Sequence, residues 1–100
     1  MTDSLRIIAT MVAKSSDADA LRELLVPAVA AFRSEAGCEG YLLHEDTKHA
    51  GRFVTYEAWS DEHALAAHMK SETMQALEPR LKPLLVEALD QQFLKVIAAT

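Results

Sequence analysis

The sequence predicts an α+β fold in which the elements follow the order β-α-β-β-α-β and the strands form one antiparallel sheet. Three observations predict it: short segments rich in β-formers, apolar residues at helical spacing between them, and a polar turn short enough for a hairpin. Each predicted helix follows a strand and opens with similar residues, in the segments SDADAL and SDEHAL. This order is the ferredoxin-like arrangement.

The first third of the chain predicts a strand and then a long helix. Residues 5–13 are rich in β-formers and too short for a stable helix. Ser16 or Asp17 can accept hydrogen bonds from the first free amides of a helix that runs to about Glu35. Gly37 follows, where the end of a helix favours a left-handed residue. The apolar stripe of this helix comprises Leu21, Leu24, Leu25, Ala28, Val29 and Phe32.

The middle of the chain predicts a hairpin. Residues 40–46 and 52–59 are the strands, and the polar residues 47–51 are the turn between them. Side chains alternate between the two faces of a strand, which divides the second of these strands into two sets. The sets are Phe53, Thr55, Glu57 and Trp59 on one face, and Val54, Tyr56 and Ala58 on the other.

The last part of the chain predicts the second helix and the fourth strand. Ser60 and Asp61 cap a helix that extends to about Lys70, and Ser71 caps a further helical turn. Two prolines fall in residues 78–89, where we expect broken helix. Residues 92–98 read as the last strand.

Composition excludes several classes of protein. One hundred residues predict a single domain, residues 1–100. The net charge of −5, with no stripe of Lys and Arg, argues against nucleic acid as a partner. No apolar run is long enough to cross a membrane, and the first residues lack the apolar core of a signal peptide, so we expect a cytoplasmic protein. Cys38 is the single cysteine, which excludes an internal disulfide.

The strand pattern also predicts a partner subunit. Both faces of the first and third strands carry large apolar side chains. Helices cover only one face of a ferredoxin-like sheet, so the other face would expose an apolar patch to water. We therefore expect a homodimer that packs sheet against sheet.

Three segments resemble a known family. Residues 34–41 (SEAGCEGY) resemble the "E-x-G-C-x-x-Y" segment that ends the first helix in the antibiotic biosynthesis monooxygenase superfamily. Residues 52–59 (RFVTYEAW) resemble its "R-F-x-x-x-E-x-W" strand, and residues 61–68 (DEHALAAH) its "D-x-x-A-L-x-x-H" helix. The resemblance implies a dimeric α+β barrel. It also implies one of several activities, including cofactor-independent oxidation of quinols or polyketide aromatics and processing of a phosphorylated sugar.

His68 is the candidate catalytic residue. It shares a helical stripe with Ala64 and Leu65, so it should face the sheet. An inward imidazole can accept a proton from a phenol or an enol. The alternative is a core histidine bonded to a backbone carbonyl.

Four further residues are candidates for substrate binding. Trp59 can form a wall of a pocket while its indole N–H orients a ligand oxygen. Tyr56 lies on the other strand face, where we expect it to meet the second helix and hold a substrate oxygen. His44, on the second strand, is either a solvent-exposed hairpin residue or a further ligand contact. Packing in the core is the alternative for both aromatic residues.

Glu57 is the fourth of these candidates, and it places a carboxylate on a partly apolar face. A buried carboxylate needs a partner, which is either an arginine, with Arg6 and Arg52 as possible partners, or backbone amides. The residue is either an acid or base of the reaction or a structural anchor near the dimer interface.

No cofactor or metal is expected. His63 and His68 lie five residues apart, on different sides of a helix, so they cannot bind one metal together. The glycines are scattered, so no phosphate-binding loop is visible.

Three functions remain open on the sequence. The favoured one is a cofactor-free monooxygenase that oxidises a quinol-like hydroxyaromatic, with His68 taking its proton. The second is an isomerase or processing enzyme for a phosphorylated, sugar-like metabolite, which would require cations such as Arg6, Arg52 or Lys48 in the pocket. The third is a dimer that binds a small molecule without catalysis.

Overall fold

The predicted order of elements is confirmed in the structure, a computed structural model that describes residues 5–99. The strands are β1 (Leu5–Val12), β2 (Cys38–Glu45), β3 (Arg52–Trp59) and β4 (Asp90–Lys95). The helices are α1 (Ala18–Arg33), α2 (Glu62–Met69) and α3 (Glu72–Leu81), with short 3-10 turns at Ser15–Asp17 and Lys82–Leu84. Within the described residues, no helix has both the length and the apolar character that a membrane span requires.

The four strands form one sheet in the order β2-β3-β1-β4, and all neighbours are antiparallel. Because β1 and β2 are both antiparallel to β3, they are parallel to each other, and the same holds for β3 and β4. Each parallel pair is joined by a helical crossover. Such crossovers are almost always right-handed, which places both of them on the same face of the sheet.

The core lies between the helices and that face. Along β1 and β3 the odd-numbered side chains are the more buried, so the covered face carries Thr55 and Glu57 while Tyr56 faces the open side. The apolar residues of the core come from strands and helices alike. Its largest members are Ile7, Leu21, Phe32, Phe53 and Trp59.

Two of the three predicted helix caps are confirmed. The side chain of Asp61 accepts a hydrogen bond from the Ala64 amide at 2.8 Å, and Ser71 accepts one from Met74 at 3.2 Å. The predicted cap of α1 is wrong, because Ser16 and Asp17 lie in a 3-10 turn that makes no side-chain capping bond. Asp17 has φ −102° and ψ 6°, whereas a capping residue needs an extended backbone.

Several boundaries also differ from the expected ones. β4 begins and ends earlier than the predicted residues 92–98, because its pairing with β1 opposes Asp90 to Thr10 and Lys95 to Leu5. The expected broken helix corresponds to the end of α3 and the 3-10 turn after it. Residues 85–89 are irregular, and the amide of Val86 donates to the carbonyl of Val12 at 2.8 Å.

Candidate active site

His68 lies near the end of α2 and points into the core. The cap at Asp61 fixes the start of this short helix, and Ala64 and His68, four residues apart, are its two buried residues. The side chain of His68 is 2% exposed. Its ring packs edge-on against Phe32, with centroids 4.5 Å apart, and lies 4.4 Å from the ring of Trp59.

Both ring nitrogens of His68 face a carboxylate. Nδ1 is 2.8 Å from Oε1 of Glu35, which follows the end of α1. Nε2 is 3.9 Å from Oε1 of Glu57, on β3. The imidazole therefore has one close acidic partner and one more distant one, from two different elements.

Glu57 is buried and bonded to its own strand. The hydroxyl of Thr55 donates to Oε2 at 2.8 Å, and the indole N–H of Trp59 donates to Oε1 at 3.0 Å. The expected partners, Arg6 and Arg52, are wrong. Arg52 pairs with Asp46 at 3.0 Å, and Arg6 is on the open face of the sheet, opposite Ala58.

Tyr41 completes the aromatic surroundings of His68. Its ring centroid is 6.1 Å from that of His68 and 5.4 Å from that of Phe32. Burial, reinforced by the nearby Glu57 carboxylate, raises the pKa of the Tyr41 phenol well above its usual range. Tyr41 thus keeps its proton at neutral pH and is a potential hydrogen-bond donor.

His68, Tyr41 and Glu57 line a small cavity between the helices and the sheet, whereas Trp59 and Glu35 are not among its lining residues. Its volume is about 50 Å³. A water molecule needs roughly 10–15 Å³ on this scale and a benzene ring roughly 150 Å³, so an aromatic ligand requires some wall side chains to move. The wall includes Tyr41, Thr55, Glu57, His68, Met11, Phe32, Met74, Leu77 and Leu81.

A larger groove of about 580 Å³ adjoins the cavity. The two share Met74, Leu81, Leu89 and Gln91 as lining residues. Met74 and Leu81, which line both spaces, lie on α3.

The structure brings together three of the five residues predicted from the sequence. His68, Trp59 and Glu57 are in mutual contact on the covered face. Tyr56 is 41% exposed on the open face, so the expectation that it meets the second helix is wrong. His44 is on that open face too, where its Nδ1 is 3.0 Å from the carbonyl oxygen of Val54. Neither residue lines the cavity.

Sequence reasoning missed three residues of the site: Glu35, Tyr41 and Thr55. Glu35 and Tyr41 are the first and last residues of the motif at the end of the first helix, so the motif marked both without indicating a role. Thr55 shares strand parity with Glu57, which was a sufficient signal for a partner two residues away.

Within residues 5–99, no group of three or more His, Cys, Asp and Glu side chains is arranged to hold a metal ion.

Cys38 is partly buried, which raises the pKa of its thiol, and its Sγ contacts the carbonyl oxygen of Gly40 at 3.6 Å.

The chain matches the family "antibiotic biosynthesis monooxygenase" over residues 4–80. PA3566 from Pseudomonas aeruginosa is 34% identical, with a TM-score of 0.88 and 98% of each chain covered. Rv0793 from Mycobacterium tuberculosis is 25% identical, with a TM-score of 0.89, 96% of this chain and 97% of that chain covered.

A third solved structure, of an antibiotic biosynthesis monooxygenase, is 29% identical with a TM-score of 0.83, covering 96% of this chain and 99% of that chain. No curated protein sequence matches the chain significantly. The family match spans most of the chain, including His68 and the residues that contact it by hydrogen bond, ion pair or ring packing. The chain therefore belongs to the antibiotic biosynthesis monooxygenase family.

Proposed function

We propose that the protein is a cofactor-independent monooxygenase that oxidises a small, electron-rich hydroxyaromatic such as a quinol. The observation that carries this proposal is a buried imidazole, His68, that lines a largely apolar cavity together with Glu57, the carboxylate nearest its Nε2. A solved relative that is named a monooxygenase gives independent support.

The chemistry needs a base and an apolar enclosure. The apolar walls remove water from the bound phenol, and His68 Nε2 takes its hydroxyl proton. The resulting anion passes an electron to dioxygen directly, so this reaction requires no metal or flavin. For a quinol, one oxygen atom replaces a ring hydrogen to give a hydroxyquinone, and the other leaves as water. The substrate supplies all four electrons, and His68 returns its proton to the departing oxygen.

The charges around the cavity disfavour a phosphorylated substrate. A phosphorylated substrate would require cations in the pocket, yet Arg6, Arg52 and Lys48 are not among the lining residues. Glu57, a carboxylate, does line the cavity. A buried carboxylate repels a phosphate group.

A purely binding function is supported less well. It would be favoured by a His68 bonded to backbone with no cavity beside it. His68 instead pairs with the side chain of Glu35 and lines a cavity.

The proposal includes a homodimer formed through the open sheet face. Leu42 and Tyr56 are opposite each other on this face and are 56% and 41% exposed, with Leu94 at 44% on β4. An exposed apolar surface of this kind is typical of an interface. The cytoplasmic location expected from the sequence remains a prediction.

Oxygen consumption tests the function. Metal-free protein is mixed with a panel of reduced quinols and polyhydroxy aromatics, and the rate is corrected for autoxidation. We expect uptake that His68→Asn lowers by about 10²- to 10⁴-fold, because Asn can still bond Glu35 but has no group in place of Nε2.

The matched control is His44→Asn, which changes a histidine on the open face and should leave the rate unchanged. Uptake that His68→Asn does not reduce would remove His68 from the reaction. No uptake across the whole panel would contradict the oxygenase proposal.

A further inference from the structure

The ring of His68 lies between two carboxylates at unequal distances. We propose that Glu35 is a positioning residue that holds the ring proton on Nδ1 and so leaves Nε2 free as a proton acceptor. This inference rests on the proposed function, in which His68 is the base. It assigns a role to a residue that does not itself line the cavity but contacts His68, which does.

The distances decide which carboxylate accepts a hydrogen bond from the ring N–H. A neutral imidazole carries one N–H, and the stronger hydrogen bond selects the nitrogen that bears it. Nδ1 is 2.8 Å from Glu35, within hydrogen-bond range, whereas Nε2 is 3.9 Å from Glu57, beyond it. The proton therefore belongs on Nδ1.

The strand partners of Glu57 reinforce this arrangement. Trp59 and Thr55 each donate to one of its carboxylate oxygens, which reduces the attraction of Glu57 for a proton on Nε2. If Glu57 won the competition, Nε2 would be a donor and could not accept a proton from a substrate. Glu35 and the two donors to Glu57 thus all favour the ring proton on Nδ1.

The protonated form of His68 is also consistent with its role as the base. Once Nε2 has taken a proton, the imidazolium is flanked by Glu35 and Glu57, and both carboxylates stabilise it. The titratable groups that face His68 are Glu35 after α1, Tyr41 on β2 and Glu57 on β3. Tyr41 keeps its proton at neutral pH because burial raises its pKa. The negative charge beside the imidazolium therefore comes from the two carboxylates.

Nitrogen-15 NMR of histidine-labelled protein tests the proposal without any substrate. The chemical shifts of the two ring nitrogens show which of them carries the proton, and comparison with His68→Asn assigns the signals of His68. For the neutral ring of the native protein we expect the proton on Nδ1. A proton on Nε2, or a ring that keeps both protons throughout the alkaline range, would overturn the proposal.

Removal of the Glu35 carboxylate is the second test of the positioning role. In Glu35→Ala we expect the proton to move to Nε2, facing Glu57, and the oxygen-uptake rate to fall by about 10²- to 10⁴-fold as the base is lost. Glu35→Gln keeps a carbonyl acceptor, so it should retain the Nδ1–H form and more of the activity. Glu23→Ala, at an exposed position of α1, is the control and should change neither quantity.

The two proposals fail in different ways. A native protein with the proton on Nδ1 but no oxygen uptake would retain the role of Glu35 and contradict the monooxygenase. A protein that consumes oxygen but carries the ring proton on Nε2 would support the monooxygenase and contradict the role of Glu35. An unchanged spectrum in Glu35→Ala would also contradict the positioning role.

Discussion

At the scale of single residues, the arrangement around Glu57 shows how the fold tolerates a charged group in its core. The residue is 3% exposed, and burial of a carboxylate costs free energy unless hydrogen bonds replace its water. Thr55 and Trp59 supply such bonds, each of which contributes about 1.5–3 kcal/mol when the acceptor is charged. No buried side-chain nitrogen or oxygen within residues 5–99 lacks a partner. The site is thus polar and fully hydrogen-bonded within an apolar core.

Gly37 is a second residue with a strict requirement. Its φ of +81° is left-handed, and an added Cβ would overlap the side chain of Ala64 and approach Ser60 Oγ to 2.8 Å. We expect Gly37→Ala to lower the free energy of unfolding by more than about 1–2 kcal/mol, the cost of the left-handed backbone alone. Urea denaturation measures the free energy of unfolding of each variant. Gly40→Ala is the control, because its Cβ would meet only Ala58, at 3.8 Å. Equal losses in the two variants would contradict the steric argument.

At the scale of elements, α2 depends on its surroundings for stability. It has eight residues, too few for an isolated helix to be stable in water. Three interactions hold it: the cap at Asp61, the buried side chains of Ala64 and His68, and the bond from the Ser60 amide to the Gly37 carbonyl at 2.8 Å. Since α2 carries His68, these interactions also hold the proposed base in place.

The cap is the interaction that can be removed most cleanly. We expect Asp61→Ala to reduce stability by about 1 kcal/mol, because the Ala64 amide loses its acceptor. The same substitution at Asp17 should cost less, since that side chain makes no capping bond. Thermal unfolding of the two variants compares them directly. A larger loss from Asp17→Ala would show that the capping geometry does not determine helix stability here.

At the scale of the whole molecule, the two faces of the sheet differ. Both crossovers lie on one face, and within residues 5–99 no helix packs on the other face. That uncovered surface includes Leu42, Tyr56 and Leu94, which are 56%, 41% and 44% exposed. A second copy of the chain, packed sheet to sheet, would bury these groups on both subunits.

Sedimentation tests this assembly. We expect a mass near twice 11.0 kDa for the native protein. Replacing Leu42 and Tyr56 together with Glu should shift the mass towards 11.0 kDa, because like charges would face each other across the interface. Val26→Glu, at an exposed position of α1, is the control and should leave the mass unchanged. A native protein that sediments as a monomer at micromolar concentration would contradict the dimer.

The sequence by itself determined the local features of this protein. The element order, the caps at Asp61 and Ser71, the left-handed Gly37 and the division of β3 into two faces were all predicted correctly. Each depends on residues within a few positions of one another, so local spacing and backbone preference are sufficient. The same reasoning correctly turned His68 towards the sheet and put Glu57 and Trp59 on the same strand face.

Only the tertiary structure decided which residues share the site. Parity separates Tyr56 from Glu57 but does not tell which face the helices cover, and this is why Tyr56 was expected at the wrong side. Glu35 meets His68 across 33 positions of sequence, at the point where the end of α1 reaches His68 through Phe32 as well. The ends of β4 follow from its register with β1. These features depend on contacts between distant segments, and the free energy of packing that selects them is not contained in any local pattern.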